Sequence, residues 1–185
     1  DEQSYDSAYS NYRKALHIDP DYPEALFGLG NVVYTRDYPD SSIYYYNRAI
    51  EGNPQFYDAR YNKAWVYFQQ RQYDQSIEEL QVLLEDNSSY YVGAQLMGHN
   101  YYAKNQYDDA LIWYEQAYAS GIRNGIFCER MAYIYDIRND REKAVELYKE
   151  AVSYDNTLKY SFRRLGELIP GEEGAAYREQ ANELP

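Results

Sequence analysis

The side chains in this sequence that could bind a metal or act as nucleophiles are few and far apart. The histidines are His17 and His99, and neither has a partner at the spacing of a metal site. The single cysteine, Cys128, has no companion for a CxxC motif, so we expect a packed helical residue without a redox role. GxSxG, HExxH and glycine-rich phosphate loops do not occur. We therefore predict no metal, no cofactor and no enzymatic activity.

The abundant acidic residues are interpreted as a solvated surface. Neighbouring pairs such as Glu78–Glu79 and Asp108–Asp109 are expected on exposed helix faces, and acidic turns such as "RNDRE" lack calcium-loop spacing. The formal net charge of -12 disfavours nucleic acid and anionic membrane surfaces as partners, because both attract clustered Lys and Arg. Basic partners remain compatible with this charge.

The sequence contains no membrane-spanning or targeting segment that we can identify. No run approaches the roughly 18 apolar residues of a spanning helix, and no signal peptide is visible. We expect a soluble chain without direct membrane insertion, and its compartment stays open. Since the sequence starts at Asp1 and not at methionine, we interpret it as a processed form or a fragment.

The strongest pattern is a 34-residue period without insertions. Two columns of small residues keep this register: Gly30, Ala64, Gly98, Ala132 and Gly166, and Ala8, Ser42, Ser76, Ala110 and Ala144. A larger column holds Tyr12, Tyr46, Leu80, Tyr114 and Tyr148, and a fourth holds Ala15, Ala49, Leu83, Ala117 and Ala151. A period between 20 and 50 residues is typical of solenoid proteins.

Each period predicts two antiparallel helices. In residues 23–56, apolar residues at helical spacing are followed by the turn "TRDYPD", and Pro39 suits the first turn of a second helix. Gly52 and Pro54 end that helix. We expect the two small columns to face each other, so that the helices approach closely. The tyrosine column is expected to fill the wedge between neighbouring helix pairs.

These units resemble tetratricopeptide repeats, which carry "LG" on the first helix and "A…Y…A…P" on the second. Two stretches carry the resemblance: "LFGLGNVVYTRDYPDSSIYYYNRAIEGNP" and "MGHNYYAKNQYDDALIWYEQAYASG". The resemblance implies an all-α fold, a right-handed superhelical solenoid of antiparallel helix pairs. We expect one array over residues 1–185, with a lone second helix at 1–22 and a partial repeat with a capping helix at 159–185. The full repeats are predicted at 23–56, 57–90, 91–124 and 125–158.

In such solenoids the first helices line a concave groove that binds partners. The stripe at i, i+3, i+7 and i+10 of each first helix predicts the groove, and it is rich in aromatic residues, which are frequent in binding hot spots. The candidate residues are Phe27, Asn31, Tyr34, Asp58, Tyr61, Trp65, Phe68, Gln95, His99, Tyr102, Glu129, Tyr133 and Asp136. Tyr34, Phe68 and Tyr102 lie near helix ends, where core packing is the alternative role.

Two partner classes of helical repeats do not fit this groove. Asn31 and Asn62 stand where a chaperone-carboxylate clamp has asparagines, but Phe27, Val92 and Leu96 occupy the positions of its cations. RNA-reading repeats need a basic groove, and this one carries more carboxylates than cations.

The leading hypothesis is a non-catalytic scaffold that binds a peptide or protein segment, basic with apolar anchors, in the groove. The alternative is a structural segment that forms a weak homo-oligomer through an apolar N-terminal edge. A third reading is a regulatory or targeting region of an enzyme whose catalytic domain lies outside this chain.

Overall fold

The chain is all-helical where the structure, a computed structural model, describes it: the backbone of residues 2–185 and the side chains from Tyr5 onward. This part contains eleven α-helices and no strand: α1 (Glu2–Ile18), α2 (Pro23–Thr35), α3 (Pro39–Gly52), α4 (Tyr57–Gln69), α5 (Tyr73–Asp86), α6 (Tyr91–Ala103), α7 (Tyr107–Ala119), α8 (Gly125–Ile137), α9 (Arg141–Tyr154), α10 (Lys159–Leu168) and α11 (Gly171–Glu183). No helix in this range is long and apolar enough to cross a membrane.

Two compact units can be distinguished by their contacts. Unit 1 is Asp1–Asn100 and unit 2 is Tyr101–Pro185, so the boundary falls inside α6. In unit 1, α2 packs on α3 and α4 packs on α5; in unit 2, α8 packs on α9 and α10 on α11.

Local sequence explains where several helices begin. Pro23 and Pro39 occupy the first turns of α2 and α3, where a missing N–H costs no hydrogen bond. The side chains of Asn124 and Asp140 cap α8 and α9 by accepting hydrogen bonds from the backbone N–H groups of Phe127 (2.9 Å) and Lys143 (3.3 Å).

Four short turns share one unusual backbone conformation. Each follows a first helix and contains a residue other than glycine with positive φ, between 59° and 64°. These residues lie 34 positions apart: Asp37, Arg71, Asn105 and Asn139. Asp and Asn tolerate the left-handed region better than most residues, but Arg does not.

The core of unit 1 shows how the small and large columns meet. A Cβ added to Gly30 would lie 2.5 Å from Cε1 of Tyr46, so the ring rests directly on the glycine. Tyr46 also joins a buried cluster with Leu26, Ala49, Ala59 and Val66, which connects α2 and α3 to α4. The expectation that Gly30 faces another small residue is therefore incomplete: the glycine accommodates the tyrosine ring of its own helix pair.

In unit 2, buried aromatic rings and a glycine again allow neighbouring helices to pack closely. The ring of Tyr114 meets that of Phe127 edge-on at 5.3 Å between centroids. Cys128 is fully buried, and burial raises the pKa of its thiol to about 11, in agreement with the predicted packing role. A Cβ on Gly166 would lie 2.5 Å from Cγ of Arg178, so this glycine lets α11 approach α10 closely.

The prediction of a solvated Glu78–Glu79 pair is wrong for Glu79. Its carboxylate contacts Arg60 at 3.0 Å and Lys63 at 2.7 Å, and the three side chains are only 14%, 13% and 17% exposed for Arg60, Lys63 and Glu79. The ion pairs form because α4 carries the two basic residues and α5 carries the carboxylate where these adjacent helices pack together. Asp108 and Asp109 are exposed, as predicted.

Candidate partner-binding surface

The structure places the predicted groove residues on four first helices. Twelve of the thirteen are half-buried, and Asp58 is exposed. They lie on α2 (Phe27, Asn31, Tyr34), α4 (Asp58, Tyr61, Trp65, Phe68), α6 (Gln95, His99, Tyr102) and α8 (Glu129, Tyr133, Asp136).

Four of these residues meet around one cavity in unit 1. The cavity lies between α2 and α4 and has a volume of about 370 Å³. The predicted residues in its lining are Asn31, Tyr34, Tyr61 and Trp65, and the structure adds Thr35, Tyr46, Asn62 and Val66. Its lining therefore combines aromatic rings with two side-chain amides.

A polar network joins the two amides. Asn31 Oδ1 accepts hydrogen bonds from the Tyr46 hydroxyl at 2.7 Å and from Asn62 Nδ2 at 2.8 Å. Burial raises the pKa of Tyr46 well above its ordinary value, although its hydrogen bond with Asn62 acts in the opposite direction. In the described part of the chain, the Asn31 NH₂ group and Asn62 Oδ1 have no hydrogen-bond partner. One donor group and one acceptor are thus left available beside the cavity.

Aromatic contacts hold the walls in place. Trp65 lies 5.7 Å from Phe68 between ring centroids, and Phe68 in turn contacts Tyr73 at 5.8 Å and His99 at 6.3 Å. Tyr61 is supported on its other side by Tyr90.

Tyr90, which contacts Tyr61, also holds the carboxylate of Asp58 in place. The two ring centroids are 5.7 Å apart, and the Tyr90 hydroxyl donates a 2.7 Å hydrogen bond to Asp58. Asp58 makes no ion pair within the described residues, so its negative charge stays uncompensated near the aromatic wall.

Phe27 serves packing more than the cavity. Its ring lies 4.9 Å from Phe56 and 6.0 Å from Tyr46, and it packs against the buried cluster of unit 1. Tyr34 packs against the same cluster and also lines the cavity, so both roles considered for this residue are present.

In unit 2 the predicted acidic residues are engaged within the chain. The guanidinium of Arg164 donates two hydrogen bonds to the carboxylate of Asp136, from Nε at 2.7 Å and from Nη2 at 2.9 Å. Glu129 accepts hydrogen bonds from the backbone N–H of Ser161 at 3.2 Å and from its hydroxyl at 2.6 Å. Both carboxylates therefore already have partners within the chain, which leaves less of their charge available to a basic partner.

The predicted stripe of groove residues leaves out an adjacent set of first-helix residues that also recurs every 34 positions. Steps of 34 residues from Gly28 lead to Asn62, Leu96, Arg130 and Arg164. This column lies one residue after the second position of the stripe, i+3, on the same side of the helix, because a helix face is wider than one row of side chains. Asn62 and Arg164 provide the polar contacts described above. Asn62 was considered only as a counterpart of a clamp asparagine, and applying the period to this column would have identified Arg164 as well.

Two further cavities lie outside the predicted groove. One of about 240 Å³ in unit 2 is lined by residues of α7, α8 and α9, among them Tyr118, Met131, Tyr135 and Leu147. The other is an open hollow of about 570 Å³ along α1, with Tyr9, Arg13, Lys14, His17 and Ile18 in its lining. The N-terminal edge was predicted to be apolar, but this face mixes apolar and basic side chains.

Comparison with known proteins identifies the repeats. A family model described as TPR repeat matches residues 1–36, and two tetratricopeptide repeat models match residues 38–78 and 127–158. Together they cover more than half of the chain. This chain is a tetratricopeptide repeat protein. The predicted resemblance and the fold class that it implied are thereby confirmed.

Solved structures of other proteins share the TPR fold. PilF of Pseudomonas aeruginosa is similar with a TM-score of 0.83 and 17% identity, over 98% of this chain and 81% of that one. YrrB, described as a TPR protein with an unusual peptide-binding site, gives 0.77 and 13%, over 92% and 90% of the two chains. A MamA structure gives 0.71 and 22%, over 84% and 91%. At these identities the similarity establishes the fold of the TPR chain alone. No curated protein sequence is significantly similar to it.

Proposed function

We propose that the chain is a non-catalytic scaffold that binds an extended segment of a partner protein on its first helices. The observation that carries this proposal is the cavity between α2 and α4, which combines aromatic walls with unused amide groups. Its volume of about 370 Å³ is sufficient for one large side chain. Trp65, Tyr61 and Tyr34 supply rigid apolar surface of the kind that dominates binding hot spots.

The amides can bind the backbone of the same segment. A peptide group offers one C=O acceptor and one N–H donor. The Asn31 NH₂ group can donate to the former, and Asn62 Oδ1 can accept from the latter. Since Tyr46 and the Asn31–Asn62 bond already orient both amides, little side-chain entropy is lost on binding.

The charge of unit 1 favours a segment containing Lys or Arg beside its apolar anchor. Residues 1–100 contain 15 acidic and 7 basic residues, a formal net charge of -8. Asp58 lies one helical turn from Tyr61 and makes no ion pair among the described residues, and Trp and Tyr faces attract cations. We expect apolar contacts to provide most of the affinity and charge to provide selectivity and association rate.

A display library of random peptides, selected on the chain, tests this proposal. The selected peptides are expected to contain an aromatic or large aliphatic residue near Lys or Arg. Trp65→Ala should weaken their binding by roughly tenfold or more, as is usual for a hot-spot residue. Trp113→Ala is the matched control, because Trp113 is the other tryptophan and lies half-buried on the second helix α7.

Binding should also be visible at Trp65 itself. With Trp113→Phe as background, Trp65 is the sole tryptophan, and its fluorescence is expected to shift when a selected peptide binds. Equal losses in the two alanine variants, or an unchanged spectrum on binding, would exclude the cavity as the site. Enrichment of acidic peptides would refute the charge preference only.

A second candidate function, self-association through α1, is favoured by the exposure of its outer face. Ile18 is 86% exposed and lines the same hollow as Tyr9, and Arg13 and Lys14 could pair with the acidic surface of another copy. Sedimentation velocity over a range of concentrations is expected to show a dimer that Ile18→Glu abolishes. A monomer at every concentration would exclude this alternative.

A further inference from the structure

The cavity of about 240 Å³ in unit 2 has no part in the peptide site proposed for unit 1. It lies among α7, α8 and α9, and two of these three are second helices. Its buried side chains are Met131, Tyr135 and Leu147, which are 2%, 7% and 5% exposed, and the half-buried Tyr118 adds a second aromatic ring. The inner lining is therefore apolar and aromatic.

The same position of the repeat carries other residues earlier in the chain. Leu147 follows Trp113 and Glu79 at intervals of 34 residues, and Met131 follows Lys63 at twice that interval. In unit 1, Lys63 and Glu79 form a largely buried ion pair at 2.7 Å between α4 and α5. Leucine and methionine provide neither this ion pair nor an aromatic ring. The cavity thus occurs where one repeat lacks the groups that its predecessors carry.

Both tyrosine rings of the cavity are held in place through their hydroxyl groups. Tyr118 donates a 2.7 Å hydrogen bond to Glu150, and the guanidinium of Arg123 lies over its ring, 3.3 Å from the centroid. Tyr135 donates a hydrogen bond to Glu115. Because both rings are fixed before a ligand arrives, binding requires little further loss of side-chain entropy.

The exposed side chains around the cavity carry more negative than positive charge. Glu115 and Glu146 supply two carboxylates, and Lys143 supplies one ammonium group, which lies 4.6 Å from the centroid of the Tyr135 ring. Glu146 makes no hydrogen bond or ion pair within residues 5–185, whose side chains the structure describes. Its carboxylate is therefore available to a cation that arrives with the ligand.

We propose that this cavity binds an aromatic side chain of a partner protein, flanked in that protein by Lys or Arg. The volume is below the roughly 300–1,000 Å³ of sites for drug-sized ligands, and it fits one large side chain. Tyr118 and Tyr135 can pack against an aromatic ring, and the thioether of Met131 can contact the ring edge favourably. The inference goes beyond the proposed peptide cavity, because it gives the chain a second binding site.

NMR of the chain labelled with ¹³C at its methionine methyl groups tests this site. The chain has two methionines: Met131 lines the cavity, and Met97, fully buried in unit 1, is the internal control. Three N-acetylated tripeptide amides serve as probes, with the sequences Lys-Trp-Lys, Glu-Trp-Glu and Lys-Ala-Lys. The first combines the ring with cations, the second combines it with anions, and the third carries cations alone.

We expect Lys-Trp-Lys to shift the Met131 methyl resonance saturably and to leave that of Met97 unchanged. Glu-Trp-Glu should bind roughly two- to fivefold more weakly, the range that an exposed ion pair contributes. Lys-Ala-Lys should cause no shift. Equal shifts of both methyl groups, a shift with Lys-Ala-Lys, or tighter binding of Glu-Trp-Glu would overturn the proposal.

Variants separate the cavity from the charge around it. Leu147→Trp introduces the side chain that Trp113 has at the same repeat position, and by filling the cavity it should abolish the shift at Met131. Glu146→Gln should reduce the preference for the basic peptide. Glu142→Gln is its matched control, because Glu142 is exposed on the same helix but lies outside the lining. Undiminished binding to Leu147→Trp, or equal losses in the two glutamine variants, would contradict the site.

The site in unit 2 is tested separately from the cavity in unit 1. Trp65→Ala removes an aromatic wall of the unit 1 cavity and should leave the titration at Met131 unchanged. A shift at Met131 without any response at Trp65 would refute only the proposed peptide cavity, and the reverse result would refute only the site in unit 2. The titration of the unaltered chain does not depend on how any variant folds.

Discussion

The ring of Tyr46 rests on the backbone of Gly30, with Cε1 2.5 Å from the position that a Cβ would occupy. Tyr46 is only 1% exposed, so the ring has little room to move aside. This contact sets the distance between α2 and α3, and it also holds the hydroxyl that orients Asn31. Packing of the repeat and geometry of the candidate site therefore depend on the same pair of residues.

Gly30→Ala should destabilise the chain, although alanine is the better helix former. The added methyl group must displace a buried ring, and overpacking of this kind costs about 1–3 kcal/mol. Urea unfolding measures the loss. Because Tyr46→Leu shortens the opposing side chain, the double variant should lose less than the sum of the single changes. Strict additivity would show that the glycine and the ring do not interact.

Glu79→Gln should also destabilise unit 1. It removes the carboxylate that pairs Arg60 and Lys63, and these largely buried cations then keep no acidic partner, at a cost of about 1–3 kcal/mol. Asp108→Asn is the control, because Asp108 is 89% exposed in its pair with Arg138 and should contribute less than about 1 kcal/mol. Similar unfolding midpoints for both variants would contradict this distinction.

Stability should decline steeply in alkali because of the buried tyrosines. Burial raises the pKa of Tyr102 and Tyr118 from 10 to about 12, and the pKa of Tyr148 is raised further. Above pH 10 the unfolded chain loses phenol protons that the folded chain retains, so the free energy of unfolding falls as pH rises.

Each such tyrosine contributes up to about 1.4 kcal/mol per pH unit. Urea midpoints measured from neutral pH into alkali are expected to show the decline, and Tyr148→Phe should make it shallower. A free energy of unfolding that stays constant until tyrosinate absorbance appears in the folded chain would contradict the expected pKa shifts.

The sequence predicted the fold well because the 34-residue period is carried by residues that packing constrains. Gly30 and Tyr46 must keep their sizes for two helices to fit, so their columns are visible without any structure. Helix starts at Pro23 and Pro39 follow from proline geometry alone. These features are local or strictly periodic.

The site was less predictable because its chemistry depends on which charges find partners. From the sequence, Asp136 is predicted to be an unpaired carboxylate in the groove. Only the structure shows that Arg164, 28 residues later, pairs with it. Glu79 similarly pairs with two residues of the preceding helix. Such pairings depend on which side chains of neighbouring helices lie close enough to contact each other. A pattern read along one helix gives no information about these distances.

The four left-handed turn residues give a way to adjust the stability of this chain without changing its binding surface. Asp37, Arg71, Asn105 and Asn139 lie in the turns, away from the first-helix positions that line the cavity. Glycine would adopt the same conformation without the steric penalty of about 1–2 kcal/mol that a left-handed L-residue carries. Since distant substitutions are close to additive, replacing them one at a time would yield a graded series of variants. Such a series would let an engineer choose the melting temperature of the array as an independent variable while ligand recognition is held constant.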